Sequence, residues 1–176
     1  MDPVARPIWR RLRRIDTPNV VCANLGDMSN AIIRSATRDD LPGVLDLYRY
    51  LHPDDPQPDS TRAEAAWSAL LGSGLTIVVV AAIEGLLVSS CTLAIIPNLT
   101  RGARSYGVIE NVVTHPGHRR TGLGRSVLAS ALKAAWDANC YKVMLATGSP
   151  KPETLRFYES AGFERGGKTF FQARRP

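Results

Sequence analysis

The sequence predicts a mixed α/β domain, with a mostly antiparallel sheet and helices on both faces, on three observations. From residue 31 onward, strand-like and helix-like hydrophobic patterns alternate along the chain instead of segregating. Two β-branched runs, 75–83 and 86–95, are joined by Glu84-Gly85, a two-residue turn that calls for an antiparallel hairpin. Later, a strand at 107–114, a long helix and a strand at 142–147 form a crossover, which places one parallel pair in the same sheet.

The elements follow in order. Residues 31–34 predict a short strand. Thr37 is a helix cap with Asp40 three residues on, and Leu41, Val44, Leu45, Leu47 and Tyr48 recur at helical spacing. Pro53, Pro56 and Pro58 end that helix, because a prolyl nitrogen carries no N–H and its ring clashes with the preceding turn. Thr61 and Glu64 read as a second capping box, opening a helix that carries Ala65, Trp67, Leu70 and Leu71. The hairpin and the 107–114 strand come next, then a glycine-rich turn and a helix over 122–139. After the 142–147 strand, a helix over 152–161 tolerates Pro152 in its first turn. Two closing strands are expected at 163–166 and 169–173. The predicted order is β-α-α-β-β-β-α-β-α-β-β.

Composition bounds what such a domain can do. The chain has 176 residues, 44% of them hydrophobic and 22% charged. At that size a domain buries roughly 70% of its unfolded surface and needs no disulfide or metal staple. The longest apolar run is strand-sized, against the ~20 residues of a membrane-spanning helix, so no membrane partner is expected. Cys22, Cys91 and Cys140 are odd in number and widely spaced, which points to a reduced, cytoplasmic chain with no metal site. The net charge of +6 invites a nucleic-acid reading. Its distribution argues against one. Residues 1–28 hold five arginines against three aspartates, and Arg119, Arg120 and Arg125 cluster beside glycines, where a phosphate ligand is the sharper explanation. Residues 1–28 show no sustained period and predict a flexible basic extension, or a mis-called start with Met28 the true initiator, before a domain over 29–176.

The strongest motif runs from Val112 to Gly124, strand to tight loop to helix, with Arg119-x-x-Gly122-x-Gly124 at the helix start. The first turn of a helix leaves backbone N–H groups unpaired and carries a partial positive charge. Glycines let an anion approach that backbone closely, so the pattern is an anion cradle. It is not the dinucleotide pattern G-x-G-x-x-G. Further on, residues 162–169 spell G-x-x-x-x-G-K-T, but they follow a helix and leave too little chain for a magnesium-binding carboxylate. That match is a coincidence of letters.

Arg119-x-x-Gly122-x-Gly124 after Ile109-Glu110-Asn111-Val112-Val113-Thr114, with Leu155-Arg156-Phe157-Tyr158-Glu159-x-x-Gly162-Phe163 beyond it, resembles the GNAT superfamily of acetyl-CoA-dependent N-acetyltransferases. The second half is similar to glucosamine-6-phosphate N-acetyltransferases. The resemblance implies acetyl-CoA as co-substrate, no metal, a small-molecule primary amine as acceptor, an amino-sugar phosphate among the candidates, and a homodimer. By the same resemblance, Arg119, Arg120, Thr121, Gly122, Leu123, Gly124 and Arg125 hold the CoA pyrophosphate, and Val112, Val113 and Thr114 pair with the pantetheine arm. Glu110 is the implied base and Tyr158 the implied acid. Among Val108, Ile109, Val112 and Val113, an acid is costly to bury without a purpose or partner. Asp54, Asp55 and Asp59 fall in the loop that often lines the acceptor site in this family. Departures are Lys151, where many members carry asparagine, and Asn111 with Ala146 or Thr147, where sugar-phosphate members carry aspartates. The competing expectation is a CoA-binding module without catalysis.

Overall fold

The structure, a computed structural model, describes residues 20–21 and 30–175. The chain runs β1 (Val20–Val21), β2 (Ile32–Ser35), α1 (Leu41–Tyr48), α2 (Ser60–Gly72), β3 (Thr76–Ile83), β4 (Leu86–Ile96), β5 (Tyr106–Thr114), α3 (Leu123–Asp137), β6 (Val143–Leu145) and α4 (Pro152–Ser160). The six strands lie side by side in sequence order. Every pairing is antiparallel except β5 with β6, as the α3 crossover requires.

Local chemistry sets these elements. Glu84 and Gly85 take φ of 49° and 84°, the pair of left-handed residues that lets a two-residue turn match the twist of its flanking strands. Thr37 and Asp40 form the expected capping box, and Asp40 also takes a bidentate ion pair from Arg34 at 2.6 and 2.8 Å. The α2 start differs from expectation. Asp59, not Thr61, is its cap, accepting the Arg62 N–H at 2.9 Å.

The sheet divides the interior in two. On one face α3 buries Leu123, Val127, Leu128, Ala131, Ala134 and Ala135 against Val79, Cys91, Leu93 and Ile109, and α4 packs there through Phe157 and Tyr158. On the other, α1 and α2 cover Val78 and Val80 with Val44 and Trp67. Helices therefore occupy both faces, as predicted.

The two closing strands do not form: residues 163–175 are irregular. A strand needs a partner edge, and β6 extends for only three residues. Gly166 and Gly167 turn the chain with φ of 90° and 75°, and Phe170 and Phe171 stay exposed. The G-x-x-x-x-G-K-T string lies in this irregular segment. Within residues 1–28, Val20–Val21 pair with Ile32 and Ile33, and the rest of that predicted extension lies outside the described residues, with Cys22.

Candidate active site

The site begins with a fault in the β4–β5 pairing. Thr92 opposes Glu110 and Ser90 opposes Val113, so Asn111 and Val112 both stand against Cys91. Two residues against one is a β-bulge, which bends and overtwists the strand carrying the extra residue. Asn111 absorbs it at φ 53°, a left-handed conformation that asparagine tolerates better than most side chains.

On its other edge β5 pairs with β6 only from Gly107 to Ile109. Gly107 draws the two strands together, since a Cβ there would stand 3.1 Å from Val143 and 3.0 Å from Leu93. Beyond Ile109 the strands part, and from Glu110 to Thr114 the edge of β5 has no strand beside it among the described residues. The result is a slot bordered by unpaired backbone, leading from the bulge toward the α3 loop.

That loop is held open by its own contacts. Arg119 Nε donates to the Thr114 carbonyl at 3.2 Å and Thr121 Oγ1 to the His118 carbonyl at 2.6 Å. Arg120 and Gly122 sit at φ 63° and 91°, and Gly122 occupies the cap position of α3 with no side chain capping it. Among the described residues no hydrogen bond takes up the N–H groups of Gly122, Leu123 or Gly124. Gly124 lets the helix start lie against the strand end: a Cβ would come within 3.1 Å of both Thr114 Oγ1 and the Phe157 ring. Arg119, Arg120 and Arg125 are exposed around these amides. Bare N–H groups, a helix start and three guanidiniums make a site for a phosphate-bearing ligand.

Tyr158 projects from α4, half-buried between Phe157 and Phe163. Burial pushes its phenol pKa up, and the Glu110 charge pushes the same way, so it stays protonated. Glu110 itself is exposed, alternating with buried Ile109 along β5, which corrects the expectation of a costly buried acid. Cys91 behaves as a buried hydrophobe, its thiol pushed up to about 12 by burial and donating to the Val127 carbonyl at 3.6 Å.

Beside the bulge, on the α1–α2 face, lies a cleft of about 690 Å³. Asn111 forms its inner end, α1 and α2 its walls, and the 56–59 loop its rim. Tyr48 sits at the inner end with its hydroxyl 3.4 Å from Thr92 Oγ1. Burial pushes the Tyr48 phenol pKa up, and polar contacts with Thr92, Asn111 and Ser90 pull it part of the way back. Of the three loop acids expected near an acceptor, Asp59 lines the cleft, while Asp54 and Asp55 do not.

Other candidates sit apart from this centre. His115 and His118 stack edge to face at 5.6 Å, and His115 Nδ1 accepts the Gly117 N–H, so they shape the loop. Lys151 takes the cap position of α4 without a side-chain capping bond. Sequence reasoning missed Tyr48 and Thr92. Tyr48 read as one more residue on an apolar stripe. A signal existed: a tyrosine on a buried helix face needs a partner for its hydroxyl, and the strand opposite carries Ser89, Ser90 and Thr92.

The sequence profile of the acetyltransferase (GNAT) family matches residues 42–163. The chain belongs to the GNAT acetyltransferase family. As a member it is an acetyl-CoA-dependent N-acetyltransferase. Glucosamine 6-phosphate N-acetyltransferase of Trypanosoma brucei brucei is 31% identical over 137 residues, 78% of this chain and 91% of that protein. A solved Agrobacterium tumefaciens str. C58 protein, to which acetyltransferase activity is attributed, shares 47% identity at a TM-score of 0.78, covering 81% of this chain and 99% of that one. Glucosamine-6-phosphate N-acetyltransferase of Arabidopsis thaliana superposes with a TM-score of 0.71 at 21% identity, over 82% of this chain and 98% of that one, a likeness of fold.

Proposed function

We propose that this acetyltransferase moves the acetyl group of acetyl-CoA directly onto the primary amine of a small molecule, with Glu110 as base and Tyr158 as acid. The observation that carries the reading is the slot: a stretch of unpartnered β5 edge that starts at Glu110 and Tyr158 and ends at the free N–H groups of Gly122, Leu123 and Gly124. An extended pantetheine arm fits such an edge as another strand would, along Val112, Val113 and Thr114. Its pyrophosphate then falls at the helix start, among Arg119, Arg120, Thr121 and Arg125. No covalent enzyme intermediate is needed. Glu110, directly or through one water, takes the proton of the acceptor ammonium, and the freed amine attacks the thioester carbonyl. A β5 amide facing the slot would stabilise the carbonyl oxygen as charge develops on it. The C–S bond breaks, Tyr158 gives its proton to the departing thiolate, and the second proton lost by the acylated nitrogen passes through solvent to restore the phenol.

The curated relatives make glucosamine 6-phosphate one acceptor to assay. The family's habit makes a homodimer the assembly to test, and the buried free thiols of Cys91 and Cys140 fit a reducing, cytoplasmic compartment.

Thiol release from acetyl-CoA with a panel of primary amines tests the reading. Glu110→Gln is expected to lower kcat/KM by about 10²–10⁴, the usual contribution of a positioned base. Tyr158→Phe should lower kcat by about tenfold or more, and CoA affinity should hold in both variants. A wild-type protein that binds CoA but releases no thiol with any amine is a CoA-binding module instead.

A further inference from the structure

Resting on that reading, the cleft narrows the class of acceptor. We infer that the acceptor is a primary amine carried on an apolar alkyl or aryl-alkyl body, seated between α1 and α2 with its nitrogen toward Glu110. Three observations support this.

The walls are hydrocarbon. Leu41, Val44 and Leu45 come from α1, and Trp67 and Leu70 from α2. Trp67 spends its indole N–H on the carbonyls of Thr37 and Arg38, at 3.2 and 3.1 Å, so it meets the cleft with ring carbon and no donor. The volume, about 690 Å³, lies in the range of small-ligand pockets and far exceeds what an ammonium group alone would fill.

Gln57, Asp59 and Arg62 line the cleft from the 56–59 loop and the start of α2, and a second polar group lies at the inner end. Tyr48 and Asn111 line it, and Thr92 and Ser90 stand behind them on β4. Ser90 Oγ is fully buried and, among the described residues, makes no hydrogen bond of standard geometry. Glu110 immediately precedes the bulge, next to the lining residue Asn111, and opposes Thr92. The cleft therefore offers polar groups beside the strand that carries Glu110 and largely apolar walls from α1 and α2.

The lining also lacks what a sugar phosphate requires. Among the described residues Arg62 is the one cationic side chain there, and its own backbone N–H is bonded to the Asp59 carboxylate, which sets a negative charge beside it. A phosphate dianion is ordinarily held by several charge-assisted donors, often with paired guanidinium contacts.

The test uses the full chain with acetyl-CoA, a series of n-alkylamines from ethyl to pentyl, phenethylamine and glucosamine 6-phosphate. Each buried methylene is worth about 0.8 kcal/mol, or about fourfold, so kcat/KM should climb about fourfold per carbon, and phenethylamine should exceed glucosamine 6-phosphate by at least tenfold. Ala66→Trp places bulk in the cleft from an exposed position of α2. It should raise the phenethylamine KM by about tenfold or more at unchanged CoA affinity. A series flat in chain length, or preference for the sugar phosphate, overturns this inference and leaves acetyl transfer standing. Absence of transfer to every amine overturns the catalytic reading itself. Melting temperature in the presence of CoA then judges the cleft separately: it must rise along the alkylamine series, and no rise overturns the inference as well.

Discussion

The two faces of the sheet are built on different physics. On the α3 face, small and branched side chains close completely over the strands: Val127, Leu128, Ala131 and Ala135 have no exposed surface. On the α1–α2 face, apolar burial is thin, and the layer is pinned by polar contacts: the Arg34–Asp40 ion pair, the Thr37 N–H to Asp40 at 2.6 Å, and the Trp67 indole on the 37–38 carbonyls. One face is a closed hydrophobic layer. The other stays open enough to hold a cleft, and a few directional bonds compensate for the missing core.

Matched substitutions sharpen that contrast. Leu128→Ala, at a fully buried site on α3, should cost about 3 kcal/mol, read from denaturant midpoints, since it loses transfer energy and leaves a cavity. A cost below about 1 kcal/mol would mean the α3 layer is looser than described. Breaking the clamp comes next. The Arg34 guanidinium, with the Thr37 N–H and hydroxyl, holds the Asp40 carboxyl down at about 2, against an ordinary value of 3.8, while burial opposes it. A carboxylate depressed in the folded state stabilises above its unfolded pKa and loses that stabilisation as pH falls through its folded pKa. Asp40 should thus contribute about 2 kcal/mol at neutral pH that disappears between about pH 4 and pH 2. Asp40→Asn should show that loss at pH 7, and its deficit relative to wild type should shrink across the same window. The smallest effect is expected from Leu45→Ala, a half-buried cleft residue on α1. Its stability cost should stay under about 1 kcal/mol, with the loss read instead as a raised acceptor KM. If Leu45→Ala destabilises as much as Leu128→Ala, the two faces are not different in kind.

Much of this architecture was legible in the sequence because it rests on short-range rules. Glu84-Gly85 names its turn, Thr37 with Asp40 names its cap, and Arg119-x-x-Gly122-x-Gly124 names an uncapped helix start. What escaped depended on tertiary partners. The segment 169–173 has a strand's composition, yet a strand exists only against another edge, and none adopts it. Asp59 took a cap assigned to Thr61 because the loop before it, not the helix, fixes where the chain enters. The Asn111 bulge is a mismatch between two strands, invisible in either one alone. Tyr48 became a site residue only when α1 folded over Ser90 and Thr92.

The parting of β5 from β6 also gives the protein a reporter of its own occupancy. Amides on an edge that no strand covers should exchange their hydrogens with solvent far faster than those locked between β3 and β4. A donor molecule lying along Val112–Thr114 would shield them. Deuterium uptake on that short stretch would then follow nucleotide loading directly, without catalysis and without a label on either substrate.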